Sequence, residues 1–116
     1  MTVTVYGIKN CDTMKKARAW LDGQGIDYAF HDYKSAGASP ELLKGWAGQV
    51  GWEVLLNKAG MTFRKLDDAA KADLDAAKAI SLMSAQPSMI KRPVVDADGC
   101  LIVGFKPDAY AAFFAA

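Results

Sequence analysis

The sequence predicts an α/β fold in which helices cover a mixed, four-stranded β-sheet. Three observations lead to this prediction. The first forty residues follow a strand–helix–strand order, residues 94–114 follow a strand–strand–helix order, and a helical segment of approximately 39–87 separates them. A β-α-β unit normally makes two parallel strands with a right-handed crossover, whereas two strands joined by a tight turn are antiparallel.

The β-α-β unit begins with Thr2–Ile8, which is rich in β-branched and aromatic residues and therefore predicts a strand. Residues 13–22 predict a helix, because their apolar residues share one face: Met14, Ala17 and Leu21. The expected caps are Asp12 or Thr13 at its start and Gly23 or Gly25 at its end. Apolar and polar residues then alternate between Ile26 and Phe30, which predicts a second strand with one buried face.

The middle segment predicts helices only. Ser39, Pro40 and Glu41 form a favourable helix start, with a capping hydroxyl, a proline at the first helical position and an early acid. This helix is expected to end at Gly51, and residues 52–56 predict a further helical turn. The alanine-rich residues 67–85 predict helix in one or two pieces, ending before Pro87.

The last part of the chain predicts an antiparallel hairpin and a helix. Residues 94–96 and 100–104 are apolar strands around the turn Ala97-Asp98-Gly99, and Lys106-Pro107-Asp108 opens a helix over 109–114. This element order is that of a thioredoxin-like domain with an all-helical insertion between its halves. We therefore expect residues 1–116 to form a single domain.

Composition excludes several classes of protein. The formal net charge of +1 gives no electrostatic basis for binding nucleic acid or an anionic membrane surface. No apolar run approaches the roughly 18 residues of a membrane span, and the first residues lack the pattern of a signal peptide. Two cysteines do not make a disulfide framework, so we expect a cytoplasmic, monomeric protein with free thiols.

Cys11 stands where the first strand gives way to the first helix. A thiolate there faces unpaired backbone N–H groups and the positive end of a helix dipole, so we expect its pKa to lie below the ordinary value of about 8.5. Residues 9–18 also contain four cations and one acid, a local charge of +3. We therefore predict that Cys11 is a reactive nucleophile, the alternative being an ordinary small residue in a turn.

Cys100 is expected to be a structural cysteine of the hairpin. If the hairpin pairs beside the first strand, Cys100 lies near the opposite end of the sheet from Cys11, on the order of 15 Å away at ~3.3 Å per residue. A disulfide needs Cα atoms within about 7 Å, so Cys100 should not pair with Cys11.

The same topology predicts an anion-binding site beside Cys11, since both ends of the hairpin reach that edge of the sheet. The expected substrate- or glutathione-binding residues are Lys9, Asn10, Lys91, Arg92, Pro93 and Lys106. His31 falls near this edge, but a solvated strand histidine is the favoured interpretation. No cysteine and histidine spacing indicates a metal site, and no bound cofactor is expected.

The segment Tyr6–Ala17, together with Ile90-Lys91-Arg92-Pro93 and Gly104-Phe105, resembles the YffB-like branch of the ArsC/Spx (arsenate reductase-like) family over essentially the whole chain. The resemblance implies a thioredoxin-like fold with a helical insertion, a reactive thiol at Cys11 and a cis peptide bond before Pro93. It also implies that Arg92 binds anions or holds the thiolate.

Two departures from the family pattern bear on function. Glutaredoxin-coupled arsenate reductases of this family surround the oxyanion with three arginines, of which this chain matches only Arg92. Asn57 and Lys106 stand at what resemble the other two positions. Spx-type regulators, which bind RNA polymerase, often carry a second cysteine three positions after the first. Met14 stands there in this chain, so the resemblance does not extend to an intramolecular redox switch.

The sequence leads to one main functional hypothesis and two alternatives. The main hypothesis is a glutathione-dependent thiol–disulfide reductase in which Cys11 forms a mixed disulfide and glutathione is the reducing co-substrate. Its substrate is an oxidised thiol or an oxyanion, and glutaredoxin is a further candidate partner. The alternatives are a glutaredoxin-coupled arsenate reductase with a relaxed oxyanion pocket, and a non-catalytic Spx-like regulator that binds RNA polymerase.

Overall fold

The computed structural model describes residues 1–115 and divides into two compact units. The first comprises residues 1–35 and the chain from Arg92 onward, and the second comprises Ala36–Lys91. The second unit contains the segment 39–87 that the sequence marks as inserted. That the two units make up one domain stays a prediction.

Helices and strands occur in an order that confirms the predicted fold class, an α/β thioredoxin-like fold with a mixed four-stranded sheet. Through the first half of the chain the elements are β1 (Val3–Gly7), α1 (Asp12–Gly23), β2 (Ala29–Asp32), α2 (Tyr33–Ala36), α3 (Pro40–Val50) and α4 (Trp52–Leu55). They continue as α5 (Met61–Arg64), α6 (Asp68–Lys71), α7 (Ala76–Ala85), a 3₁₀ turn (Pro87–Met89), β3 (Val94–Ala97), β4 (Cys100–Val103) and α8 (Pro107–Ala115).

The sheet of the first unit has the strand order β2-β1-β3-β4. Strands β1 and β2 are parallel, and Gly7, the last residue of β1, pairs with Asp32, the last residue of β2. Strand β3 is antiparallel to β1, with Tyr6 opposite Val94, and it pairs antiparallel with β4. The carboxyl ends of β1 and β2 therefore share one edge of the sheet with the beginning of β3 and the end of β4.

One face of this sheet packs on α1 and α8. Val3 and Val5 alternate with outward residues along β1 and lie in an apolar cluster with the buried face of α1 and with Tyr110 of α8. The buried residues of α1 are those expected from the sequence: Met14, Ala17 and Leu21. Tyr110 is fully buried, its hydroxyl donates to the Gly104 carbonyl (2.7 Å), and its ring meets Phe105 edge-on (4.8 Å).

The second unit is helical, as predicted. Ser39 caps α3 by accepting a hydrogen bond from the Leu42 N–H (3.2 Å), with Pro40 at the first helical position. Helix α3 buries Leu43 and Trp46, and helix α7 buries Ala79 and Met83. The alanine-rich segment forms the two pieces α6 and α7. An isolated bridge between Leu56 and Ile90, which the sequence does not indicate, joins the residue after α4 to the end of the unit.

Two local predictions about the first unit need correction. The residue at the N-cap position of α1 is Cys11, not Asp12 or Thr13, because the chain becomes helical directly after Cys11. Strand β2 begins at Ala29 and not at Ile26, since the Ile26 N–H donates to the Leu21 carbonyl (3.0 Å) and so closes the end of α1. Gly25, at φ +69°, supplies the left-handed residue of that helix end. Within residues 1–115, no helix is long and apolar enough to cross a membrane.

Candidate active site

Cys11 occupies the turn between β1 and α1. Its backbone is extended (φ −135°, ψ 130°), and its carbonyl accepts a hydrogen bond from the Lys15 N–H (3.0 Å), so it is the first residue outside the helix. The residue is half-buried and packs on the apolar cluster beneath the sheet. The sulfur is thus held at the N-terminus of α1 and remains partly accessible.

The surroundings of the sulfur favour the thiolate. Burial is the largest single influence and acts to raise the pKa of Cys11. The backbone N–H groups of Met14 and Thr13 and the hydrogen bond and positive charge of Arg92 together outweigh it. The pKa of Cys11 therefore lies below its ordinary value, as the strand-to-helix position predicts.

Arg92 reaches Cys11 because β3 runs antiparallel to β1. With Val94 opposite Tyr6, the residues that precede β3 stand at the edge of the sheet where β1 ends. Arg92 is half-buried, Pro93 is buried, and the peptide bond between them is cis, as the family resemblance implies. The Pro93 carbonyl accepts a hydrogen bond from the Gly104 N–H (2.8 Å), which ties the start of β3 to the end of β4.

The remaining predicted site residues fall into two groups. Lys9, Asn10 and Lys106 are exposed residues of the first unit at the same edge of the sheet as Cys11, the first two directly before it and Lys106 at the start of α8. Lys91 is the last residue of the second unit, where its N–H donates to the Leu55 carbonyl (2.8 Å). Asn57 also belongs to that unit, and its N–H donates to the Met89 carbonyl (2.7 Å). The first unit thus brings Arg92 and Pro93 together with Cys11.

Fewer cations act on Cys11 in the folded protein than the four counted in residues 9–18. Arg18 belongs to α1, but its side chain packs against β2. Its guanidinium carbon is 4.5 Å from the centre of the Phe30 ring, and its Nε donates to the hydroxyl of Tyr28, the residue before that strand (3.0 Å). A cation held by the Phe30 ring and the Tyr28 hydroxyl is committed to packing there. The hydrogen-bonding cation at the sulfur is Arg92, which the sequence places 81 positions after Cys11.

Cys100 lies at the other end of the sheet. It opens β4 opposite Ala97, which in turn pairs with Val3 at the start of β1. Both cysteines are free, as the predicted separation requires. Cys100 is exposed and takes no part in the apolar cluster, so its structural role is limited to its place in the strand.

An aromatic group on the sheet face opposite α1 escaped the sequence analysis. The ring of His31 lies 4.8 Å from that of Tyr6 and 5.8 Å from that of Tyr33. His31 is thus a half-buried strand residue, as a strand histidine would be, but it also packs between two tyrosine rings, which the sequence does not indicate. Burial, then the neighbouring Tyr6, raises the pKa of Tyr33, while the charge of Arg92 lowers it. The sequence feature that could have drawn attention to Tyr33 is its position directly after β2, at the carboxyl end of the two parallel strands β1 and β2.

This arrangement suits nucleophilic chemistry at sulfur. A partly accessible thiolate is stabilised by helix N–H groups and by a guanidinium, and the same donors can hold an anion beside it. No group of three histidine, cysteine or carboxylate side chains capable of holding a metal occurs in the part of the chain that the structure describes.

Comparison with known proteins identifies relatives of this chain. The sequence profile of the ArsC family matches residues 6–113. An uncharacterised protein of Haemophilus influenzae is 44% identical over 113 residues, covering 97% of this chain and 99% of its own. The global transcriptional regulator Spx of Streptococcus mutans is 30% identical over 96% of this chain and 82% of its own length.

Solved structures extend the likeness to three dimensions. A YffB (PA3664) protein superposes with a TM-score of 0.93 at 64% identity, covering 96% of this chain and 97% of that one. An arsenate reductase (ArsC) related protein from Brucella melitensis gives a TM-score of 0.79 at 59% identity, over 100% and 97% of the two chains. The profile spans nearly the whole chain, and Cys11, Arg92 and Pro93 lie within it, so this protein belongs to the ArsC family.

Proposed function

We propose that this protein is a monothiol thiol–disulfide oxidoreductase in which Cys11 is the nucleophile and glutathione the reductant. The observation that carries the proposal is the lowered pKa of Cys11, held down by the N–H groups of α1 and by Arg92 against the opposing effect of burial. A larger thiolate fraction near neutral pH raises the rate of attack on a disulfide.

The reaction has three exchanges, the first two of them at Cys11. In the first, the Cys11 thiolate attacks one sulfur of a disulfide, a new S–S bond joins Cys11 to that sulfur, and the other sulfur leaves as a thiolate that takes a proton from solvent. In the second, a glutathione thiolate attacks the sulfur bound to Cys11 and the Cys11 thiolate is released. Attack by further glutathione on the resulting disulfide completes the reduction, and two glutathione molecules supply the two electrons.

The second thiol is expected to come from outside because neither candidate within the chain suits the task. Met14, one helical turn after Cys11, is a fully buried thioether, and Cys100 lies at the other end of the sheet. Glutathione is the abundant thiol of the reducing cytoplasm, which is the compartment we propose. No tightly bound cofactor is part of this mechanism.

Binding of glutathione would use its two carboxylates. Arg92 is the cation that hydrogen-bonds to the sulfur, and the exposed cations Lys9 and Lys106 offer weaker, solvent-screened attraction. Lys91, also exposed, directly precedes Arg92 in the sequence and is proposed as a further cation for the substrate. Asn10 adds an amide beside Cys11, and Pro93 shapes the edge of the sheet against which the substrate lies. Glutaredoxin is a further candidate for the second exchange, since its thiolate can attack the same mixed disulfide.

A reaction with arsenate is the second candidate function, because a thiolate beside a guanidinium is also suited to attack an oxyanion. The Brucella melitensis relative is described as related to arsenate reductase. Turnover of arsenate with glutathione and glutaredoxin would favour this candidate over disulfide reduction. An exposed Trp52 would offer an apolar surface for a protein partner and so favour a regulator that binds RNA polymerase. Trp52 is instead half-buried, with the Lys58 ammonium 5.6 Å from its ring centre, and gives that alternative no support.

The direct test is the adduct with oxidised glutathione. Wild type, Cys11→Ser and Cys100→Ser proteins are incubated with oxidised glutathione and weighed by intact-protein mass spectrometry. We expect one glutathione on the wild type and on Cys100→Ser, and none on Cys11→Ser. Addition of reduced glutathione should remove it. An adduct that survives Cys11→Ser, or no adduct on the wild type, contradicts the proposal.

A further inference from the structure

Tyr33 lies at the same edge of the sheet as Cys11. It directly follows Asp32, the last residue of β2, and Asp32 pairs with Gly7, from which the chain continues to Cys11. The side chain is buried, with only 4% of the residue exposed. Ligands of open α/β sheets bind at the carboxyl ends of parallel strands, and Tyr33 stands at that end of the β1–β2 pair.

The Tyr33 hydroxyl is buried and makes no hydrogen bond to any described residue. Other tyrosines of the same unit are paired: the Tyr110 hydroxyl donates to the Gly104 carbonyl, and the Tyr28 hydroxyl accepts from Arg18. Buried hydroxyls in folded proteins nearly always have a partner, so an orphaned one calls for an explanation. The Tyr33 ring is held edge-on to His31 (5.8 Å), which keeps the hydroxyl in place.

The neighbour that matters for chemistry is Arg92. Its charge acts on the Tyr33 hydroxyl and, by a hydrogen bond, on the Cys11 sulfur. One guanidinium therefore acts on both the nucleophile and the orphaned hydroxyl. Since burial keeps the phenol of Tyr33 protonated, it is available as a hydrogen-bond donor at working pH.

We propose that the Tyr33 hydroxyl is the second donor of a carboxylate subsite whose first donor is the Arg92 guanidinium. The substrate class is a disulfide that carries a carboxylate close to its reacting sulfur, as glutathione does. This inference rests on the proposed function and adds a specificity-determining residue to it.

The subsite changes state with the reaction. While Cys11 is a thiolate, its negative charge holds Arg92 by a charge-assisted hydrogen bond. As the bond between Cys11 and the substrate sulfur forms, that charge passes to the departing thiolate, so the guanidinium is freed in the transition state to pair with the substrate carboxylate. Solvent does not reach the Tyr33 hydroxyl, so a ligand must displace a neighbouring side chain, and Arg92 has the long, rotatable chain that allows it.

The test compares two disulfides that differ in charge. Formation of the Cys11 mixed disulfide is timed with oxidised glutathione and with the uncharged bis(2-hydroxyethyl) disulfide, for wild type, Tyr33→Phe and the matched control Tyr28→Phe. We expect Tyr33→Phe to slow the glutathione reaction about ten-fold, the value of one hydrogen bond to a charged group, and to leave the uncharged reaction unchanged. Tyr28→Phe should alter neither rate.

Several outcomes would overturn the inference. Equal slowing with both disulfides means that Tyr33 acts on the thiolate and not on a carboxylate, and no slowing with either means that it contacts no substrate. A Tyr33→Phe protein clearly less stable to urea than the wild type would show that the hydroxyl has a partner within the fold. If the wild type reacts with neither disulfide, the proposed function fails and the subsite with it. If the wild type reacts with both disulfides and Tyr33→Phe reacts with both at the same rates, only the proposed subsite is wrong.

Discussion

Gly7 and Met14 approach so closely that a Cβ atom on Gly7 would lie 2.3 Å from the Met14 Sδ and 2.7 Å from its Cε. Met14 is fully buried, so its thioether fills the space beneath the end of β1 and cannot swing into solvent. The residue one helical turn after Cys11 is thus part of the core. This contact closes the position at which a second thiol would otherwise stand.

Gly7→Ala should destabilise the protein. The new methyl group forces the buried Met14 side chain to move, and overpacking of this kind costs typically 1–3 kcal/mol in the free energy of unfolding. Urea unfolding measures the loss. The double variant Gly7→Ala/Met14→Ala should show strong coupling, because removing the thioether relieves the clash. Strictly additive losses would contradict the contact.

Met14→Cys should convert the monothiol site into a dithiol site. A thiol at this position lies one turn from Cys11 and can attack a mixed disulfide on it, which releases the bound glutathione and forms an intramolecular disulfide. Mass spectrometry after exposure to oxidised glutathione should find the loss of two hydrogen atoms in place of the adduct. A stability loss of roughly 2–5 kcal/mol for the reduced protein is expected from the emptied core. Persistence of the adduct at wild-type levels would count against this geometry.

Arg92→Gln should raise the pKa of Cys11, since it removes both a hydrogen bond and a positive charge from the thiolate. Alkylation by iodoacetamide followed against pH measures the change in pKa. We expect the profile to move to higher pH and the rate at pH 7 to fall several-fold. Arg18→Gln is the matched control, because Arg18 is bound on Phe30, and its profile should coincide with the wild type. If the pH profile of alkylation is the same for Arg92→Gln and the wild type, Arg92 does not stabilise the thiolate.

The stability of the protein should rise with pH through the titration of Cys11. The folded-state pKa is depressed, so between that value and the unfolded value of about 8.5 the unfolded chain binds more protons than the folded one. This contribution is complete above the unfolded pKa and is lost as pH falls through the folded pKa. Urea midpoints measured from pH 5 to 9 should show the rise for the wild type relative to Cys11→Ser. Parallel curves for the two proteins would contradict it.

Tyr110→Phe should destabilise the fold. The variant keeps the ring but leaves the Gly104 carbonyl without the hydroxyl that now donates to it at 2.7 Å, a loss of about 1–2 kcal/mol. Thermal or urea unfolding measures it against Tyr33→Phe, which removes a hydroxyl that has no partner among the described residues and should cost nothing. Equal losses for the two variants would mean that the pairing of these hydroxyls has been misassigned.

Much of the fold was predictable because the local signals agreed. The capping serine before Pro40, the turn Asp98-Gly99 and the apolar alternation of β1 each specify one element, and the structure has each of them. The errors occurred where a tertiary or backbone interaction decided the outcome. Ile26 closes a helix instead of opening a strand, and the sequence pattern carries no sign of the Leu21 carbonyl that it meets.

The site was predictable to the extent that chain topology defines it. The position of Cys11 follows from a strand and a helix adjacent in sequence, and the approach of Arg92 follows from hairpin pairing beside β1. Arg18 and Tyr33 show what was missing. The charge count over residues 9–18 includes Arg18, although its side chain packs on β2. No periodicity marked Tyr33, because its importance comes from burial and from Arg92.

The hydrogen bond between Cys11 and Arg92 joins groups that the ribosome synthesises 81 residues apart. A nascent chain therefore presents Cys11 long before the guanidinium exists, and its thiol lacks the contribution of Arg92 to its reactivity until β3 has paired with β1. Thiol reactivity is then a reporter of folding: alkylation at a pH between the folded and unfolded values marks native molecules, and its onset times the closure of the sheet.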